Sequence, residues 1–345
     1  MSTIAILTFA ILQQAVNDSD PQHRFVRPGL DTDRPVWGLK EGIRFAVWPG
    51  NVADGLGPGG PRGLIRVGYP IMPDGECALV NFIAIEPIVR GQRRRGYSEL
   101  EPSARDGKRG KLIDPEPPPT VDWDRPAEDA IYPGHIEELD GGAARLTVCL
   151  RVEKFRGGAH VYLLASVRTD RPDELALQVF PEDDSAPLAA CILTATMGNL
   201  ERLRQLHLAD RVVTSHELYG DYEGDGFAPH RTFVLDQLPR AADGSVIVAA
   251  TTDEEDPSAT WPDPRRPRFW LYPGQKVTQY WRKYAGTFDE SLRATVNARR
   301  VYWASKWPIP NGIAFENFEL NEGFVPGQTV SFGLTPGAPD ELLDR

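Results

Sequence analysis

ARLTVCLRV, residues 144–152, sets small or apolar side chains at 144, 146, 148, 150 and 152, with Arg145, Thr147 and Arg151 between them. A period of two puts alternate residues on opposite faces of an extended chain, so this stretch reads as a β-strand with one face on a core. The style repeats outward in both directions. Similar runs are GIRFAVW (42–48), LIRV (64–67), LVNFIAI (79–85), AHVYLLASV (159–167), LALQVF (175–180), RVVT (211–214), TFVL (232–235), SVIVAA (245–250) and GIAFENFEL (312–320). Most are rich in β-branched or aromatic residues and bounded by glycine, proline or acidic turns. With 32 glycines and 31 prolines the elements must be short, while 41% hydrophobic residues still fill a core. The prediction is an all-β chain, a large antiparallel β-sandwich with few short helices.

Two segments compete with that pattern. In FDESLRATVNARRVYW (288–303), Asp289 is placed to cap a helix, and Leu292, Val296 and Arg299 recur at helical spacing; Thr295, Val296 and Val301 keep a strand open. GNLERLRQLHL (198–208) predicts a second short helix capped by Asn199, with a twisted strand as the alternative. A length of 345 residues suits two average domains or one large sandwich. The stiff run DPEPPPTVDWDRP (114–126) is either a linker or a long connection. Because strands of one style lie on both sides of it, residues 16–345 are predicted to form a single sandwich domain.

A net charge of −11 and a pI near 5.1 argue against general nucleic-acid binding, which needs a basic surface. Cys77, Cys149 and Cys191 sit among apolar neighbours with no CxxC spacing and read as buried thiols. An apolar run at residues 4–12 followed by small and polar residues makes 1–15 a candidate export signal, cleaved after Ala15, although it lacks a basic n-region. A secreted or periplasmic protein follows from that reading, a cytoplasmic one from its alternative, a first strand. No run approaches the roughly twenty apolar residues of a membrane span.

The densest chemistry lies in SHELYGDYEGDGFAPH (215–230), which holds four carboxylates, three aromatics, three glycines and two histidines. DYEGDG opens like an EF-hand calcium loop, but position twelve is Thr232 where a bidentate glutamate is needed, and Pro229 blocks the exiting helix. A looser calcium site of Asp221, Glu223 and Asp225 with the Phe227 carbonyl stays open beside a solvated acidic turn. Tyr219, Tyr222 and Phe227 interleave with the acids, and aromatic planes beside carboxylate acceptors suit the CH faces and hydroxyls of a sugar. His216 and His230 bracket the loop with side chains that titrate near neutrality.

RGQRRRGYSELEPSARDGKRGK (90–111) carries eight basic residues against three acids within an acidic chain, which points to an anionic ligand. Arginine forks at Arg93, Arg94 and Arg95 suit carboxylates or sulfates, and Tyr97 and Glu99 add polar groups for a sugar. His160 begins a strand after two glycines, and Trp270 in WPDPRRPRFWLYPG (261–274) is placed to extend a glycan cleft. The common serine-hydrolase, P-loop, dinucleotide, zinc-protease and kinase motifs do not occur.

The runs QYWRKYAGTFDESLRATVNARRVYW (279–303), WPIPNGIAFENFEL (307–320) and VPGQTVSFGLTP (325–336), together with residues 215–230, resemble the ends of bacterial β-sandwich proteins that accompany polysaccharide degradation. The likeness is to the galactose-mutarotase-like supersandwich, shared by aldose epimerases and domains of polysaccharide lyases. It implies a fold and a ligand class, with no motif matched residue by residue. The resulting expectation is a carbohydrate-active enzyme on an acidic glycan, working by β-elimination, hydrolysis or epimerisation. His216, His230, His160, Tyr219 and Glu99 are its catalytic candidates, and Arg93, Arg94, Arg95, Tyr97, Tyr222, Phe227 and Trp270 its binding candidates. A non-catalytic glycan-binding protein and a structural adaptor are the alternatives.

Overall fold

The computed structural model describes residues 21–47, 62–71, 77–122, 130–196, 198, 201–255, 276–302 and 307–344. Their strands, in chain order, are β1 (Phe25–Val26), β2 (Val36–Leu39), β3 (Arg44–Ala46), β4 (Leu64–Tyr69), β5 (Ala78–Val89), β6 (Ile113–Glu116), β7 (His135–Glu138), β8 (Ala144–Val152), β9 (Val161–Arg168), β10 (Arg171–Pro181), β11 (Leu188–Thr196), β12 (Leu203–His207), β13 (Val212–Thr214), β14 (Arg231–Val234), β15 (Val246–Thr252), β16 (Thr278–Lys283), β17 (Arg293–Arg299), β18 (Ala314–Asn321) and β19 (Thr329–Thr335). One α-helix among the described residues, α1 (Ser215–Tyr219), lies between β13 and β14.

The strands form two antiparallel sheets. A nine-stranded sheet runs β1-β2-β3-β4-β5-β11-β18-β17-β14, and a ten-stranded sheet runs β13-β12-β15-β16-β19-β10-β9-β8-β6, with β7 also paired to β8. After β10 the chain crosses between sheets repeatedly, leaving β11, β14, β17 and β18 in the first and β12, β13, β15, β16 and β19 in the second. Neither sheet is a continuous piece of sequence.

The alternation in 144–152 is kept. Ala144, Leu146, Val148, Leu150 and Val152 all enter the shared core, and β9 alternates buried Val161, Leu163, Ala165 and Val167 with half-buried neighbours. Trp281 of β16 donates its indole N–H to the Phe318 carbonyl of β18 at 2.9 Å, joining the sheets, and packs edge-on against Phe332 with centroids 5.0 Å apart. A buried polar thread also crosses the layers: Asn81 Nδ2 donates to Gln279 Oε1 at 2.6 Å, and Gln279 Nε2 donates to Glu201. Such groups are stable in a core only when paired.

Both helical expectations are corrected. Residues 293–299 form β17, and 203–207 form β12. In β17 every residue after Arg293 is buried, so the apolar positions that mimic a helical stripe belong to a strand covered on both faces. The proline-rich run begins as β6, where Asp114, Pro115 and Glu116 lie opposite Arg151, Leu150 and Cys149. The three cysteines are free, with burial pushing each thiol up to about 12. No described helix is long and apolar enough to cross a membrane. The candidate signal at 1–15 and Trp270 lie outside the described residues.

Candidate active site

The outer face of the nine-stranded sheet is unexpectedly polar. Ile85 of β5, Leu193 and Ala195 of β11, Phe318 and Leu320 of β18, and Ala294 and Val296 of β17 point into the core. Their alternates, Glu86, Thr194, Thr196, Asn317, Glu319, Thr295 and Asn297, therefore turn away from it. Several are nonetheless almost wholly covered, Glu319 and Thr194 at 0% exposure and Asn297 at 1%.

Residues 90–111 help to bury them. The segment folds back along β5, with Gly96 N–H donating to the Pro87 carbonyl at 2.8 Å and Ser98 N–H to that of Ile85 at 3.2 Å. The Ser98 hydroxyl donates to the Gly63 carbonyl at 2.5 Å and accepts from Ile85 N–H at 2.9 Å. Arg95 then clamps the segment to the sheet. Its Nη1 donates to Glu86 at 2.8 Å and to Glu319 Oε2 at 3.0 Å, and its Nη2 reaches Glu319 Oε1 at 2.9 Å. Thr194 Oγ1 adds a 2.8 Å bond to Glu319. Lys111, itself buried, donates to the carbonyls of Pro102 and Lys154. Arg95 and Lys111, which read from sequence as part of a basic ligand patch, are therefore committed to holding the fold.

Immediately after the clamp, Tyr97, Glu99 and Leu100 form one wall of a cleft of about 430 Å³. Phe227 and His230, from the acidic and aromatic segment, are further lining residues, and Asn297, Asn317, Thr196 and Glu86 line it from the sheet. The two segments singled out independently in the sequence thus meet at one place.

The sheet fixes the state of His230. Thr196 Oγ1 donates to Asn317 Oδ1 at 2.8 Å, and Asn317 N–H donates to Asn297 Oδ1 at 3.0 Å. With its oxygen so engaged, Asn297 turns its amide toward His230 and donates through Nδ2 to Nε2 at 3.3 Å. Nε2 is then an acceptor, and the neutral ring carries its proton on Nδ1. Although His230 is exposed, burial of the ring against its neighbours lowers its pKa; the field of Arg95 works in the same direction and Glu319 opposes it.

The carboxyls are displaced the other way. Burial raises Glu99 to about 7, against the opposing pull of its own backbone hydrogen bond and of Arg109. Its Oε2 is buried with no hydrogen-bond partner. Glu86 is raised to about 8, first by burial and then by the charges of Glu319 and Glu99, despite Arg95. Burial and then Glu86 also raise the Tyr97 phenol, keeping it a hydrogen-bond donor. A neutral imidazole and a carboxyl titrating near neutrality in one cleft are the parts that proton transfer requires.

The other candidates are dispersed. Tyr219 is a core residue, donating its hydroxyl to the Val296 carbonyl at 2.8 Å and meeting Phe315 edge-on, so it offers no stacking face. Tyr222 is half-buried and donates to the Phe227 carbonyl at 3.1 Å. Asp221, Glu223 and Asp225 are exposed, and no group of three His, Cys, Asp or Glu able to hold a metal occurs among the described residues. Arginines organise this loop instead: Arg300 donates to the Tyr222 carbonyl at 2.8 Å and Arg299 to that of Asp225 at 3.1 Å. His216, on α1, has its Nε2 3.0 Å from the Asn311 carbonyl, outside the cleft. His160, immediately before β9 of the other sheet, pairs with Asp184 at 2.5 Å. Arg93 and Arg94 are exposed, and Arg94 lines a neighbouring groove that shares Tyr97 and Leu100 with the cleft.

Sequence reasoning missed Glu86, Glu319, Thr196, Asn297 and Asn317. Their signal was present as an acid or amide inside otherwise apolar strands, as in FIAIEPIV and AFENFEL, where a charge has no place on a buried face unless it is partnered. Compared with known proteins, the chain matches no family model, no curated protein and no solved structure.

Proposed function

We propose that this protein is a carbohydrate-active enzyme that moves a proton at a sugar bound in the cleft on the outer face of the nine-stranded sheet. One observation carries the reading: Glu99, a carboxyl raised to about 7, lines a cleft whose other walls include the rings of Tyr97 and Phe227. Aromatic faces match the apolar CH face of a pyranose, and a carboxyl that holds its proton near neutrality can both donate and recover it. In this proposal Glu99 exchanges the proton, while the Nδ1–H of His230 and the Tyr97 hydroxyl hold sugar hydroxyls. The galactose-mutarotase-like relationship belongs to the same proposal.

The test is mass spectrometry and NMR on a panel of acidic and neutral glycans incubated with the protein. Shorter products without added water mean elimination, products with added water mean hydrolysis, and an unchanged mass with altered ring signals means epimerisation. Any of these, lost in Glu99→Gln at retained fold, supports the proposal. Retention on an immobilised glycan with no product assigns a binding protein and overturns the catalytic claim.

A further inference from the structure

Several buried cations elsewhere in this protein face carboxylates. Arg62 meets Asp106, Arg202 meets Glu254, Arg282 meets Glu174 and Lys283 meets Glu322, all within ion-pair distance. Arg299, at the end of β17, has no such pair among the described residues. It is 8% exposed, its Nε is buried without a hydrogen-bond partner, and its contacts are the Asp225 carbonyl and the ring of Phe227, whose centroid lies 4.8 Å from the guanidinium carbon. A carbonyl and an aromatic face together compensate a desolvated guanidinium far less than a carboxylate does.

The covering residue is itself unusual. Phe227 is 46% exposed and lines the cleft, so the ring screening Arg299 is in contact with solvent. Asn297, two residues before Arg299, lies in the cleft floor.

We infer that Arg299 is the anion-recognising residue of the cleft, taking a carboxylate or sulfate group of the ligand once the Phe227 ring swings aside. This rests on the reading of the cleft as a sugar site and names its substrate class as an acidic glycan. Of the basic segment only Arg109 lines the cleft and Arg95 is committed to Glu86 and Glu319, so Arg299, beneath the cleft-lining Phe227 ring, adds a second guanidinium there. A planar guanidinium with an uncommitted edge is suited to a bidentate oxyanion.

The experiment compares binding of a uronate oligosaccharide with that of its carboxyl-reduced, neutral counterpart, by calorimetry, in the wild type, Arg299→Gln, Arg299→Lys and Phe227→Ala. The wild type is expected to favour the acidic ligand at least tenfold, Arg299→Gln to bind both equally, and Phe227→Ala to keep the preference. Equal binding by the wild type, or a preference retained in Arg299→Gln, overturns the inference. Should Arg299→Gln not fold, Arg299→Lys must weaken the acidic ligand alone, and no weakening overturns it.

Should neither sugar bind, the sugar reading fails and inorganic sulfate is titrated into the wild type. Shifts in the Arg299 Hε and Phe227 ring signals that are absent in Arg299→Lys support the anion site independently of it. Unmoved signals overturn the site as well.

Discussion

Glu86→Gln should stabilise the protein, by an amount that depends on pH. Glu86 has an ordinary value of 4.5 in the unfolded chain and about 8 in the fold. Between those values folding takes up a proton, so the wild type loses stability as pH rises through the interval; below 4.5 the carboxyl is protonated in both states and the effect vanishes. Each unit is worth 1.36 kcal/mol, giving about 3 kcal/mol at pH 7 and about 5 kcal/mol above pH 8. Glutamine mimics the protonated acid and still offers an oxygen to Arg95, which donates to Glu86 at 2.8 Å in the wild type. Urea denaturation of both proteins from pH 4.5 to 9 should therefore show midpoints that nearly coincide at the acid end, diverge up to about pH 8 and then stay apart by a constant amount. A difference that stays flat with pH, or a variant weaker than wild type at pH 8, would refute the claim that Glu86 is held protonated.

Glu99→Gln should cost roughly 10²- to 10⁴-fold in turnover, the usual worth of a positioned acid or base, while its stability, by the linkage worked for Glu86, equals that of the wild type near pH 4.5 and exceeds it toward pH 7. Steady-state kinetics and calorimetry on the same samples check both halves. If Glu99 acts as the acid, wild-type kcat should fall above about pH 7, where burial sets its titration. Gly63→Ala should unfold the loop's anchor, since φ at Gly63 is +76° and an added Cβ would run into the Ser98 carbonyl; a loss exceeding about 2 kcal/mol in chemical denaturation is expected. Phe332→Ala removes a fully buried ring that packs on Trp281 and should cost about 3–5 kcal/mol, read by the same assay.

Strands covered on one face announced themselves in the sequence, as 144–152 shows, because water on the other face enforces alternation. Strands covered on both faces were harder to read. β17 keeps its alternation, with Ala294, Val296 and Ala298 in the core and Thr295, Asn297 and Arg299 on the other face, but Leu292, Val296 and Arg299 supply a competing helical period. The site was legible where its residues sit on loops, since Tyr97, Glu99, Phe227 and His230 came from segments whose composition differs from the rest. What the sequence could not reveal is pairing. Arg95 looks like a ligand anchor until Glu86 and Glu319 are found around it, and Arg299 looks like an ordinary strand residue until its lack of a carboxylate is seen.

Arg299 and Arg300 hold the 221–227 turn by the Asp225 and Tyr222 carbonyls. Every amino acid carries that group, so the two arginines grip the course of the chain and are indifferent to most of the side chains upon it. Asp221, Glu223 and Asp225 are therefore open to replacement with little loss of shape, and under the proposed sugar-binding reading the turn is a place where ligand preference can be rewritten, in the laboratory or by descent, while the sheet beneath stays as it is.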